Sequence, residues 1–159
     1  MQVQPYLFFD GRCEEAVRFY EKAIGAKVMG MMRFSENPEP QASQTSGTSG
    51  TSGTSGTSGN CSGAATSPDQ IMHCAFTVGD SLVMASDGVP AGEGGFKGIS
   101  LSLAVRDDAE AQQMFDALGQ DGGGQVQVPL MESFFATSFG MVVDRFGVGW
   151  MVVAAKPMG

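Results

Sequence analysis

The sequence predicts an α+β fold built from two βαβββ modules, whose curved mixed sheets lie around a cleft. A strand–helix–strand pattern occurs at 5–34 and again at 98–130, and each copy is followed by a two-stranded hairpin, at 73–87 and at 139–153. Two packed halves of this kind form a cleft, and clefts usually hold small ligands. The duplication therefore predicts both a fold and a place for function.

The two helices align residue by residue. Placing Phe19 and Tyr20 over Met114 and Phe115 also brings Ala16 onto Ala111. The matching apolar positions support the duplication.

The first module begins with an apolar strand over 3–9, which ends at Asp10-Gly11. A helix from Arg12 follows, because its apolar residues recur at helical spacing, and Gly25 is a typical stop for it. The stripe consists of Cys13, Ala16, Val17, Tyr20, Ala23 and Ile24. A strand over 27–34 and a hairpin over 71–78 and 82–86 complete the module.

The second module begins with a strand of alternating apolar residues, Ile99, Leu101, Leu103 and Val105. Its helix presents Ala111, Met114, Phe115 and Leu118 on one face, and Asp107 and Asp108 suit the positive end of that helix. A short strand over 125–128 and a hairpin over 139–143 and 148–153 follow.

The whole chain, 1–159, is predicted to be one domain with an internal division. Five copies of Thr-Ser-Gly at 45–59 make an insertion that has too few hydrophobic side chains to fold, so it is expected to be disordered. The predicted parts are a first module at 1–34 plus 70–88, the insertion at 35–69, a glycine-rich linker at 89–97 and a second module at 98–155.

Composition limits the partners. Apolar residues make up 42% of the chain, the formal charge is −8, and the first residues lack the basic flank of a secretion signal. A negative chain without basic clusters repels nucleic acid and anionic membranes, so neither is expected as a partner, and a cytoplasmic location is predicted. Cys13, Cys61 and Cys74 lack the spacing of a disulfide framework or a zinc knuckle.

Three segments together resemble the vicinal oxygen chelate superfamily, which includes glyoxalase I, bleomycin-resistance proteins and extradiol dioxygenases. They are PYLFFDG with CEEAVRFYEKAIGA, MHCAFTVGDSLVMASDG, and FGMVVDRFGVGWMV. The first resembles the FY-x-x-x-x-G signature of the family's first helix, and the last resembles its DPFG or DPDG turn. The segments are most similar to the PhnB-like branch, often labelled as demethylubiquinone methyltransferases. The resemblance covers the chain except 35–69 and implies a homodimer, often with modules exchanged between chains.

Metal-dependent members of the superfamily take four ligands, usually His, Gln or Glu, from equivalent strands of the two modules. The resemblance places these positions at Pro5 beside Gln4, near 84–86, at Ser100 and at Met151. First-row divalent metals need imidazole, carboxylate or thiolate donors, so neither a metal nor another cofactor is predicted. A register shifted by one or two residues gives alternative ligands, which are Gln4, His73, Glu132 and Asp144.

His73 is the only histidine and the candidate acid, base or hydrogen-bond donor; the alternative is a strand histidine satisfied by a backbone carbonyl. Trp150, Phe134, Met151 and His73 are the predicted ligand contacts, because aromatic walls with few polar groups suit a planar ligand. The alternative for the aromatic residues is ordinary core packing.

Three functions remain open. The first is a metal-independent protein that binds a small molecule, similar to bleomycin-resistance proteins, with an aromatic or cationic ligand. The second is a metal-dependent lyase or dioxygenase of the glyoxalase type that uses the alternative ligands. The third is a non-catalytic structural or regulatory dimer. A methyltransferase is not favoured, because no glycine-rich nucleotide loop follows the first strand.

Overall fold

Two modules with the same order of elements account for the described part of the chain. The computed structural model describes residues 1–36, 68–87 and 96–157. The Thr-Ser-Gly copies, Cys61 and most of the predicted linker lie outside these residues, so the expectations for them stay predictions.

The first module forms a four-stranded mixed sheet, sheet 1, in the order β1-β4-β3-β2, with β1 parallel to β4 and the other pairs antiparallel. The elements of this module are β1 (Tyr6–Phe8), α1 (Cys13–Ala23), β2 (Lys27–Arg33), β3 (Ile71–Val78) and β4 (Ser81–Ser86). A 3₁₀ turn at Phe34–Glu36 follows β2.

The second module repeats this arrangement in sheet 2, with strand order β5-β8-β7-β6 and β5 parallel to β8. Its elements are β5 (Leu101–Val105), α2 (Asp108–Leu118), β6 (Gln125–Met131), β7 (Ala136–Val143) and β8 (Gly149–Ala155). The predicted α+β fold with two βαβββ modules is therefore confirmed, and neither sheet is closed.

The predicted helices and strands all exist, but several begin or end at residues other than the predicted ones. β1 begins only at Tyr6, β6 continues to Met131 and β7 already begins at Ala136. The longer strands pair with each other, since Met131 lies opposite Phe139. Such pairing is decided by the facing strand and is not visible in the local apolar pattern.

Buried residues of both modules form one hydrophobic core. In the first module the stripe of α1 packs against the β3 residues Cys74 and Phe76, and the ring of Tyr20 also lies 5.3 Å from the ring of Trp150 in the second module. The helix-covered side of sheet 1 is thus joined to sheet 2 at a junction rich in aromatic rings. The opposite sides of the two sheets point away from the helices, because side chains alternate along a strand.

Among the described residues, no helix is long and apolar enough to cross a membrane.

Candidate functional site

The open face of sheet 1 is the side turned away from α1, and Tyr6, Phe8, His73 and Met84 belong to it. The ring of Tyr6 stacks on that of Phe8, with centroids 4.9 Å apart, and is tilted against the imidazole of His73 at 5.8 Å. Tyr6 Oη lies 3.2 Å from His73 Nδ1. Met84 is the strand partner of Tyr6, so a thioether extends this aromatic wall.

The open face of sheet 2 is the corresponding side turned away from α2. Met151 is paired with Ser102 on one side and with Met141 on the other, and Phe139 lies in the next row beside Val153. The ring of Phe135 contacts those of Phe139 and Phe134, at 5.3 and 5.1 Å. Phe134 is 92% exposed, so this face ends in an aromatic side chain that is almost fully accessible to solvent.

Met84 and Met151 occupy equivalent places in the two modules, since each lies on the last strand beside the first, parallel strand. The strands carry almost no charge: those of sheet 2 have no charged side chain, and those of sheet 1 have only Lys27 and Arg33 besides His73. Arg33 pairs with Glu14 of α1, at 2.8 Å. Every carboxylate of the described residues lies in a helix, turn or loop, although the chain has a formal charge of −8.

The four predicted ligand contacts do not lie together. His73 and Met151 lie on open faces, and Phe134 lies at the edge of one. Trp150 points the other way, is 2% exposed and donates from Nε1 to Asp144 Oδ2 at 2.9 Å. Neighbouring strand residues face opposite sides, so Trp150 and Met151 do not line the same surface. Whether any of the four contacts a ligand stays a prediction.

Sequence reasoning did not single out Tyr6 and Phe8, and it considered Met84 only within 84–86, near a metal-ligand position of the superfamily; the fold places all three with His73. The alternation of Tyr6, Leu7 and Phe8 was a usable signal, because it puts the two aromatic rings on the same side of a strand. The approach of Tyr6 to His73 depends on strand pairing across 67 residues, and no local pattern contains it.

The carboxylate of Asp144 joins the modules. Oδ2 accepts hydrogen bonds from Tyr20 Oη at 2.6 Å and from Trp150 Nε1, while Oδ1 accepts from the backbone N–H groups of Phe146 and Val148. Burial, and then the nearby negative charge of Asp144, raise the pKa of Tyr20 far above its usual value. Tyr20 therefore stays a hydrogen-bond donor, and this buried group serves the junction and not the open faces.

The alternative metal ligands do not fit a metal site. Glu132 Oε1 pairs with Lys156 Nζ at 2.8 Å, Asp144 is buried with four hydrogen bonds, and the Gln4 amide donates to Gln2. No group of three or more His, Cys, Asp or Glu side chains within residues 1–36, 68–87 and 96–157 is arranged to hold a metal ion. Of the alternative set, His73 alone lies on an open face with Tyr6 as its partner.

The two described cysteines are unsuited to nucleophilic chemistry. Burial raises the pKa of Cys74 to about 11, and burial together with the negative charge of Asp87 raises the pKa of Cys13 still further. Because the thiolate is the reactive form, both residues behave as small core side chains.

A groove of about 560 Å³ lies where the end of α1 meets the start of α2. Lys22, Arg106 and Glu110 contribute to its polar lining, which includes no aromatic side chain. None of the predicted ligand contacts belongs to it. The groove between the helices is therefore distinct from the two open sheet faces.

The duplicated sheets place the chain in the fold class of glyoxalase, bleomycin-resistance and dioxygenase proteins. A glyoxylase/bleomycin resistance/dioxygenase domain from Frankia sp. EAN1pec superposes with a TM-score of 0.60 over 100% of this chain and 95% of that domain. Its sequence identity of 11% means that the likeness concerns the fold alone.

Sequence comparison gives the particular family. The family model described as 3-demethylubiquinone-9 3-methyltransferase matches residues 52–153, and Protein YjdN of Escherichia coli (strain K12) is 30% identical over 157 residues, 98% of this chain and 97% of that protein. The chain belongs to this PhnB-like family. Protein PA1353 from Pseudomonas aeruginosa is 40% identical, with a TM-score of 0.73 and 98% of both chains covered. A PhnB protein from Bacillus cereus is 22% identical and has a TM-score of 0.70 over 98% and 100%.

Proposed function

We propose that this chain is a metal-independent binding protein for small, planar, largely apolar molecules, and that the ligand lies between the open face of sheet 1 in one copy and the open face of sheet 2 in a second copy. The observation that carries this proposal is the pair of apolar faces with aromatic and thioether side chains. Such walls bind flat molecules through stacking and dispersion, with few polar groups to fix orientation.

The distribution of charge supports a second copy as the partner of these faces. Two chains of formal charge −8 repel each other least where neither presents a carboxylate, and the open faces are such surfaces. The faces also include side chains that a single copy leaves exposed, among them Tyr6 at 37% and Met32 at 40%. Exposed apolar patches of this kind are typical of interaction sites.

The same distribution argues against a cationic ligand. A cation loses its hydration when it is bound here, and no carboxylate belongs to the strands of either sheet to compensate for that loss, so aromatic rings alone would have to offset it. A neutral planar molecule costs less to transfer to these faces. The sequence led us to expect an aromatic or a cationic ligand, and the proposal keeps the aromatic one.

The competing functions are separable. A metal-dependent lyase or dioxygenase requires one retained metal per chain after dialysis, measured by elemental mass spectrometry following exposure to Ni, Zn, Mn and Fe. A purely structural dimer requires that aromatic probes do not bind. Methyl transfer has little support, because the connection from β1 to α1, 9–12, contains only one glycine.

Carboxylates introduced into the faces test the proposal. Met84→Asp and Met151→Asp place a negative charge in the middle of each face, and we expect both variants to sediment as monomers and to lose binding of a panel of neutral aromatic compounds observed by NMR. Val126→Asp is the matched control, since Val126 is 46% exposed and lies on the helix-covered side of sheet 2, opposite buried Val142. Face variants that dimerise and bind the panel as the wild type does would contradict the proposal.

A further inference from the structure

The single histidine supplies a polar group to the aromatic end of the open face of sheet 1, whereas Thr77 and its strand partner Lys27 lie at the other end of β3. His73 is exposed on the open face of sheet 1, and Met32 is its strand partner on β2. Its Nδ1 atom lies 3.2 Å from Tyr6 Oη, so one ring nitrogen already has a partner within the protein. The other nitrogen, Nε2, is the atom that a ligand on this face can meet.

The bond to Tyr6 decides what Nε2 offers. A phenol O–H is a stronger donor than a neutral imidazole N–H, so Tyr6 donates to Nδ1 and the ring proton of neutral His73 lies on Nε2. In the imidazolium form both nitrogens carry protons. Nε2 is therefore an N–H donor in either protonation state, and its natural partner is an acceptor atom of the ligand.

The surroundings select the kind of acceptor. A carboxylate or phosphate would be attracted by an imidazolium but repelled by a chain of charge −8, while a neutral carbonyl oxygen accepts the same hydrogen bond without that repulsion. The stacked rings of Tyr6 and Phe8 next to His73 fit a flat ring.

We propose that the His73–Tyr6 pair makes this face selective for planar ring compounds that carry a neutral carbonyl oxygen, the aromatic ketones and quinones. The ring lies against Tyr6 and Phe8, and the carbonyl oxygen accepts a hydrogen bond from His73 Nε2. This inference rests on the proposed function and names the ligand class for the same site.

The matched compounds 1-indanone and indane test the selectivity, because they share a flat bicyclic frame and differ in the carbonyl group. Both are titrated into the full-length protein and followed by NMR, where the one histidine gives one set of imidazole signals. We expect 1-indanone to bind about fivefold more tightly, the effect of one net hydrogen bond. The His73 ring signals should shift with 1-indanone and move less with indane.

Two variants assign the effect to the N–H donor. His73→Phe keeps an aromatic ring and should bind both compounds equally, whereas His73→Gln keeps an N–H donor and should retain part of the preference. Equal binding by the wild type, or a preference that survives in His73→Phe, would overturn the inference. Failure of 1-indanone to bind a protein that does bind other neutral aromatic compounds of the panel would also overturn it, while failure of the whole panel would overturn the proposed function.

Discussion

The two modules share one topology but stabilise the start of their helices in different ways. In the second module the solution is local: Asp107 accepts a hydrogen bond from the Glu110 N–H, and Glu110 accepts one from the Arg106 N–H. In the first module Arg12 provides no side-chain cap, and the Cys13 N–H instead donates to Asp87, 74 residues away. The same structural requirement is therefore met by neighbouring residues in one copy and by a long-range contact in the other.

The last hairpins of the two modules also differ in whether their contacts are local or long-range. The turn between β3 and β4 is an exposed Gly79-Asp80 pair, whereas the turn between β7 and β8 contains buried Asp144, which contacts Tyr20 of the first module. Each module thus has one buried carboxylate with a long-range partner: Asp87 contacts residues of its own module, and Asp144 links the two modules. The comparison predicts that these two residues matter more to stability than local caps of similar geometry.

Asp144→Ala is expected to have the largest effect. It leaves the buried donors of Tyr20 and Trp150 and two backbone N–H groups without their acceptor, at about 1–3 kcal/mol for each unsatisfied group. We expect denaturant unfolding to report a loss of at least ~3 kcal/mol. Asp80→Ala, in the equivalent turn of the first module, is the control and should change stability by less than ~0.5 kcal/mol. Similar losses for the two variants would remove the distinction between the hairpins.

Asp87→Ala comes next. Its two carboxylate oxygens accept from Cys13 and Ile71, both at 2.8 Å, and both N–H groups become unsatisfied in the variant. A loss of about 2–3 kcal/mol is expected in denaturant unfolding. Asp87→Asn retains one good acceptor and should lose about half as much. An Asn variant as unstable as the Ala variant would mean that charge, and not hydrogen bonding, is the dominant contribution.

Asp107→Ala tests the local cap at the start of α2 in the second module. Removal of an exposed N-cap costs about 1 kcal/mol, because water replaces part of the lost hydrogen bond. The same unfolding experiment should therefore rank Asp107→Ala clearly below Asp87→Ala. The reverse order would show that the local cap, and not the long-range one, controls its module.

The smallest expected effect is on the pH dependence of stability below about pH 4. Hydrogen bonds from Thr137 and Ser138 of β7 lower the pKa of Asp108 at the start of α2 from its usual value of 3.8. A carboxyl group with a lowered pKa stabilises the fold above its unfolded pKa, and the stabilisation disappears as the pH falls through its folded pKa. Thermal unfolding of Asp108→Asn should therefore depend less on pH below about pH 4 than that of the wild type. Parallel curves would contradict this.

What the sequence predicted follows the same division between local and long-range contacts. The helices, the repeated order of strands and the suitability of Asp107 were predictable, because each depends on residues within one or two turns. The long-range roles of Asp87 and Asp144 were not, since Cys13 lies 74 residues from Asp87 and Tyr20 lies 124 residues from Asp144.

Trp150 shows a case in which a local rule corrects a predicted ligand contact. Its neighbour Met151 was also placed among the ligand contacts, although alternation along a strand assigns the two to opposite faces. The wall of Tyr6 and Phe8 follows from the same alternation. Its contact with His73 required knowledge of how the strands pair.

The burial of Trp150 has a spectroscopic consequence. It is the only tryptophan in the chain, and its indole lies between Tyr20 and Asp144 at the junction of the modules. Intrinsic fluorescence excited at the indole band therefore monitors separation of the two halves. Occupancy of the open face of sheet 1 is reported separately, by the imidazole of His73. The chain thus contains one natural reporter for its assembly and another for its ligand.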